Sequence, residues 1–293
     1  MTPPAQSSSD TPPAATAAPE GFEAPELDDV QQRVLRSLQE DGIALVPFRE
    51  LFDEDLWHEA VVDIEPFIRE TEEAMRNVGD RPTGKEEMFV RRFYEKSGGG
   101  GKKGRSTLSV RDPMLRIAAS EPILGVVNSY TEQWRRLSYL DNWVTLPYPN
   151  SDERIETQRW HRDPEDPHVV KVFIYFSDVD EEAGPFEYVR GSSPGGLYGD
   201  LWPWSEAKRY PPSDELEAAV APEDRLALTG PAGTVIFCDT VGFHRGGFAR
   251  TKPRILSVSV YLPPDKKKGK RRLDVNFEGR EEALPQQVRF ALS

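Results

Sequence analysis

At 293 residues the chain is long enough to bury a sizeable core, in one large domain or two small ones. Its formal net charge of −13 argues against nucleic acid or an anionic membrane as the main partner, because both reward a basic surface, and it favours a small-molecule substrate. The one cysteine, Cys238, excludes an internal disulfide and a thiolate zinc cluster, and it fits a reducing compartment, with the cytoplasm as the expected location.

Residues 1 to about 25 are mostly Pro, Ala, Ser, Thr and acidic groups, too polar to offset chain entropy by burial, and are expected to form a disordered tail. The opening MTPPAQSSSD lacks the charged start and apolar stretch of a secretory signal, and no apolar run approaches the roughly 18 residues of a membrane span. Residues 26–293 are expected to form one domain, with helical support over about 27–135 and a β-rich core over about 137–262. Val30, Val34, Leu35 and Leu38 recur at helical intervals, with Asp28 or Asp29 as cap and Gly42 past the end, and a strand is expected at Ile43 to Val46. A second helical stretch runs from Leu56 to Met75, where Pro66 is expected to kink or divide it. FYEKSGGGGKKGR, Phe93 to Arg105, excludes a regular element and reads as a flexible loop with the character of a lid. Helical spacing returns from Asp112 to Tyr130.

From about Leu137 short β-type runs alternate with turn signals: LSYLDNWVTLPY, VVKVFIYF, FEYV, TVIFC and ILSVSVYL. This spacing suggests a sandwich or barrel, buttressed on one face by the earlier helices. The cluster Lys266, Lys267, Lys268, Lys270, Arg271 and Arg272 reads as a solvated loop.

In an extended strand residues two apart point the same way, so His161 and Asp163 of WHRDP can offer an imidazole and a carboxylate to one metal while Trp160 and Arg162 face away. A third ligand is needed. His58 lies in a helical stretch far upstream, and His168 follows the turn sequence PEDP. His244, in TVIFCDTVGFHRGGFART, follows a strand and precedes a glycine-rich turn, which leaves it at a sheet edge. Asp239 is a weaker candidate, because Asp163 already supplies the carboxylate. Two histidines and one carboxylate on one face of a metal leave positions open, as oxygen activation by Fe(II) with a chelating co-substrate requires; zinc also accepts such a set. Arg254, ten residues past His244, can clasp a carboxylate through two parallel hydrogen bonds.

On QRWHRD, KVFIYFSDVDEEAGPFEYVRGSS and GTVIFCDTVGFHRGGFARTKPR, the chain resembles the phytanoyl-CoA dioxygenase family of Fe(II)- and 2-oxoglutarate-dependent oxygenases over roughly residues 140–262. The resemblance implies a mainly β fold with flanking helices, built on a double-stranded β-helix (jelly-roll, cupin-like) core. It implies iron on His161, Asp163 and His244, 2-oxoglutarate on Arg254, and O2 as oxidant. Gln158 matches a family position on the co-substrate or substrate side of the pocket, which in a regular strand requires a bulge near Arg159. Relatives that halogenate lack the carboxylate ligand, so Asp163 favours hydroxylation of a C–H bond, or desaturation or ring closure, with release of succinate and CO2. Trp160, Lys171, Tyr175, Trp202 and Trp204 are candidate substrate-pocket residues. A non-catalytic jelly-roll that binds a ligand, and a zinc hydrolase on the same ligands, are the alternatives.

Overall fold

The computed structural model describes residues 22–76, 89–93, 106–151, 153–207, 209–264 and 273–293. The glycine run expected to act as a lid, the basic cluster Lys266 to Arg272 and residues 1–21 of the expected tail lie outside the described residues.

Helix α1, Asp29–Asp41, begins where the sequence predicts. Asp28 accepts from the Gln31 backbone N–H at 2.8 Å while the Gln31 side chain accepts from the Asp28 backbone N–H at 2.9 Å, and Gly42 ends the helix at φ 79°. Strand β1, Ile43–Pro47, follows, then the short α2, Phe48–Leu51, and the long α3, Glu54–Arg76. Pro66 does not divide α3. It lies on the exposed face, while Ile64 and Phe67 on either side of it pack against Val144, Leu146, Tyr148 and Ile255. After β2, Phe89–Phe93, and β3, Ser106–Ser109, the tract from Asp112 forms two helices, α4, Pro113–Ala118, and α5, Glu121–Thr131. Asp112 and Ser120 cap them, and Pro122 sits in the first turn of α5, where a missing N–H costs nothing.

The β-rich half comprises β4, Arg136–Thr145, β5, Val170–Tyr175, β6, Phe186–Val189, then helix α6, Ser213–Ala219, β7, Arg225–Leu228, β8, Thr234–Asp239, β9, His244–Gly246, and β10, Arg254–Leu262. Strand β11, Leu273–Asn276, and helix α7, Gln286–Leu292, close the chain. One antiparallel sheet has the order β1-β8-β5-β10-β4-β2; a smaller one has β7-β6-β9; and β11 pairs in parallel with β3. The two antiparallel sheets enclose a common apolar interior, which is the jelly-roll arrangement.

Strand alternation sorts the side chains into two layers. Val170, Val172 and Ile174 of β5 join Val235 and Phe237 of β8 against helices α1, α4, α5 and α7, so the helical first part and the strands share one core. Phe173 and Tyr175 turn the other way, into the space between the sheets, with Ile236, Cys238, Leu256, Val258, Val260, Phe186 and Tyr188. Each fully buried aliphatic side chain there contributes about 1.5–3 kcal/mol, so the walls around the site are rigid. No helix among the described residues is long and apolar enough to cross a membrane.

Candidate metal centre

His161 and His244 meet across an isolated antiparallel bridge, each backbone N–H donating to the other's carbonyl at 3.0 Å. Their rings lie 4.2 Å apart between centroids. Asp163, two residues after His161, projects to the same side. Its Oδ1 is 3.9 Å from His161 Nε2 and its Oδ2 is 3.5 Å from His244 Nε2. One ligand atom from each of the three buried residues therefore falls within 4.8 Å of the others, a spacing that one metal ion can bridge.

Each imidazole is held for that role. His161 Nδ1 is 2.9 Å from the Arg159 carbonyl and His244 Nδ1 is 2.9 Å from the Gly242 carbonyl, so each Nδ1–H donates to the backbone and each Nε2 keeps its lone pair for the centre. Burial, together with the neighbouring His244, lowers the His161 pKa to about 3 against the pull of Asp163; burial likewise lowers that of His244. Both rings are neutral at physiological pH. Burial pushes the Asp163 carboxyl up, yet Lys171 and the two imidazoles outweigh it and hold it well below the usual carboxylate range. Two neutral imidazoles and one carboxylate, all 7 % exposed or less, are a donor set suited to Fe(II).

Arg254 opens β10 on the interior face and is 3 % exposed. Its Nη1 donates to the Gly184 carbonyl and its Nη2 to Thr145 Oγ1 at 3.4 Å, but Nε has no partner, and no carboxylate among the described residues lies within ion-pair distance. Burial lowers its pKa, only partly offset by Tyr175 and Glu187. Gly246 lies two residues beyond His244 on the same face of β9, and a Cβ there would stand 3.5 Å from Arg254 Nη2. A larger side chain at this position would therefore grow against the guanidinium. Sequence reasoning did not single out Gly246.

The remaining predicted residues separate. Lys171 is 7 % exposed and its Nζ is 2.6 Å from Asp163 Oδ2, an oxygen that accepts no directed hydrogen bond from the described residues. Trp204 packs against the interior cluster and its Nε1–H donates to the Asp163 carbonyl at 2.8 Å. Tyr175 points inward too, but its hydroxyl donates to the Leu228 carbonyl at 2.8 Å and accepts from the Phe186 N–H at 3.4 Å, which makes it wall rather than free contact. Trp160 packs elsewhere. Facing away from the ligands as alternation requires, it is fully buried with Val189, Leu216, Val220 and Phe243, its Nε1–H donates to Glu217, and Arg245 covers its ring. Trp202 packs on the edge of the same cluster.

Gln158 does not require a β-bulge. It ends a 3-10 turn, Glu156–Gln158, ahead of the bridge, and its Oε1 accepts from the Ile155 N–H at 3.4 Å. His58 is exposed on α3, and His168 lies in a turn outside the ligand group. Asp239 accepts from Tyr130 Oη at 2.8 Å and from the Val241 N–H at 2.9 Å, a structural role.

Two further residues escaped sequence reasoning. Tyr210 lays its ring against His161, 5.6 Å between centroids, and its hydroxyl has no partner among the described residues. Arg162, between the two ligands, is 2 % exposed. It donates to the carbonyls of Ser192, Gly199, Leu201, Trp202 and Val241, with its guanidinium 3.7 Å above the Phe243 ring. That one side chain ties the 192–202 segment and the turn before His244 to the segment that carries His161 and Asp163.

No protein-family model matches the chain, and no curated protein matches it in sequence. Solved structures do match in fold. AviO1 from Streptomyces viridochromogenes is 16 % identical, with 83 % of this chain and 98 % of that one covered at TM-score 0.54. EctD from S. alaskensis, solved with bound Fe, is 16 % identical, with 85 % and 83 % covered at 0.53. SnoK, a non-heme alpha-ketoglutarate-dependent carbocyclase from nogalamycin biosynthesis, is 18 % identical, with 80 % and 84 % covered at 0.52. At these identities the likeness establishes a shared jelly-roll fold.

Proposed function

We propose that the protein is an Fe(II)- and 2-oxoglutarate-dependent oxygenase of the phytanoyl-CoA dioxygenase type, with residues 26–293 as its one catalytic domain. It oxidises a C–H bond of a small molecule, with hydroxylation as the default outcome, in a reducing compartment such as the cytoplasm. The observation that carries this reading is the presence, in one fold, of a buried His161–Asp163–His244 group and a buried Arg254 whose Nε–H lacks an acceptor and which has no carboxylate within ion-pair distance among the described residues. A zinc hydrolase has no use for that cation.

His161, Asp163 and His244 hold the iron, with Nε2 of each ring directed inward by the backbone carbonyl at its Nδ1. Bound there, iron supplies the activation of dioxygen that is coupled to loss of CO2 from 2-oxoglutarate and formation of succinate. Arg254 takes the distal carboxylate, pre-oriented by Gly184 and Thr145, and its Nε–H gains the acceptor it lacks. Gln158 stands on the co-substrate side of the pocket. Trp204, Tyr210 and Lys171 border the centre and are the surfaces a primary substrate meets, while the apolar interior excludes water. Such carbocyclisation as SnoK is described to perform is consistent with the same machinery, so product analysis decides between hydroxylation and ring closure.

The test is turnover of 2-oxoglutarate by the Fe(II)-loaded full chain. Succinate is expected to form only with O2 present and to vanish in His161→Ala; succinate formation that persists in His161→Ala would refute the assignment.

A further inference from the structure

We propose that Lys171 is an internal counter-ion that occupies Asp163 in the metal-free protein and so acts as a brake on metal binding, shifting to Glu165 when a divalent cation enters. The proposal rests on the triad being the metal centre. Lys171 sits in the middle of the main sheet, opposite Val260 on β10 and Cys238 on β8, so its backbone is fixed on both sides. From there its Nζ reaches two carboxylates among the described residues, Asp163 Oδ2 at 2.6 Å and Glu165 Oε1 at 3.3 Å.

The same Asp163 oxygen stands 3.5 Å from His244 Nε2, so the ammonium contacts an atom on the edge of the space a metal would fill. Two consequences follow from charge alone. Without a metal, Asp163 would be a buried carboxylate between two neutral rings, and Lys171 spares the fold that unpaired charge. With a metal, a third positive charge lies in contact with the ligand and opposes the incoming cation through a poorly screened interior. Glu165 relieves this. Its side chain is 32 % exposed against 10 % for Asp163, and it is already within reach of Nζ, so a small swing of the lysine end transfers the ion pair without moving a strand. Lys171 is the one charged residue in the strand Val170–Tyr175, which is buried along its whole length.

The full chain, stripped with chelator, is titrated with Co(II) by calorimetry at neutral pH, alongside Lys171→Met, Lys171→Arg, Glu165→Gln and the Lys171→Met/Glu165→Gln double variant. Lys171→Met is expected to bind Co(II) about tenfold tighter, because the repulsion between the ammonium and the incoming cation is gone. Its metal-free form should melt at a lower temperature, and Lys171→Arg should behave as the wild type. Glu165→Gln should weaken binding in the wild type but not in the Lys171→Met background, since its effect passes through the lysine. Unchanged or weaker binding by Lys171→Met overturns the proposal. If that variant does not fold, unchanged binding by Glu165→Gln overturns it instead. Failure of the wild type to bind Co(II) refutes the metal centre itself, a separate result.

Discussion

Replacing Arg162 with methionine keeps an apolar stem over Phe243 and removes every donor from the guanidinium. Five backbone carbonyls lose a charge-assisted partner: Ser192 at 2.7 Å, Leu201 at 3.0 Å, Gly199 at 3.1 Å, Trp202 at 3.2 Å, and Val241. Each such bond is worth about 1.5–3 kcal/mol in isolation, but the losses do not add, because the carbonyls relax together and water enters the space. Leaving several buried carbonyls short of a donor at once costs more than the roughly 1–3 kcal/mol of a single one, and about 3–5 kcal/mol is the expected loss for Arg162→Met. In a chain of this size it corresponds to a fall of about 6–20 °C in Tm. Arg162→Lys should recover part of it, since an ammonium offers three donors without the planar stack. The assay is urea unfolding of the metal-free protein followed by tryptophan fluorescence, with Co(II) affinity measured in parallel. Metal affinity should fall too, because Arg162 sits between His161 and Asp163 and also anchors the Val241 carbonyl ahead of His244. A stability loss under about 1 kcal/mol would show that the five contacts are not a working clamp.

Arg254→Met should weaken 2-oxoglutarate binding about 30-fold or more, equivalent to about 2 kcal/mol, while Co(II) affinity is kept; calorimetry of both ligands separates the two. Gly246→Val should do the same by filling the space before Nη2, and unchanged 2-oxoglutarate affinity in that variant would mean the co-substrate lies elsewhere. His168→Ala should leave metal binding intact, as measured by Co(II) titration. The pH dependence of metal-free stability follows from the histidines. His161 is lowered from 6.5 to about 3 and His244 is lowered as well, so below pH 6.5 the unfolded chain takes up protons that the folded chain refuses. Stability is therefore full above that pH and falls as the medium is acidified, by up to about 1.4 kcal/mol per pH unit for each histidine. Denaturation midpoints against pH should show this slope, and His161→Gln should flatten it.

The grouping of His161 with Asp163 was legible because alternation in WHRDP decides which residues share a side, and the structure keeps that alternation at Trp160, His161, Arg162 and Asp163. The same rule identified Lys171, Phe173 and Tyr175 as one face of β5. It could not tell that the opposite side of WHRDP is also core, so the burial of Arg162 and Trp160 was invisible. Clusters such as Trp160 with Phe243 and Leu216 join segments far apart in the chain, and no local period reports them. The continuous α3 reflects the same limit: the local cost of Pro66 was readable, the packing of Ile64 and Phe67 on the sheet was not. Two short strands, β7 and β9, and the 3-10 turn before His161 have too few residues to show a periodicity. Gly246 carried a signal only once Arg254 was seen to lie against it.

The central claim is that iron at His161, Asp163 and His244 and a dicarboxylate at Arg254 share one site. Anaerobic titration of the Fe(II)-loaded protein with 2-oxoglutarate, followed by visible absorption, tests it most directly. A weak charge-transfer band that saturates with 2-oxoglutarate, is lost in Asp163→Ala, and needs higher concentrations in Arg254→Met is the predicted result. Absence of any band, with Fe(II) shown to be bound, would contradict the account.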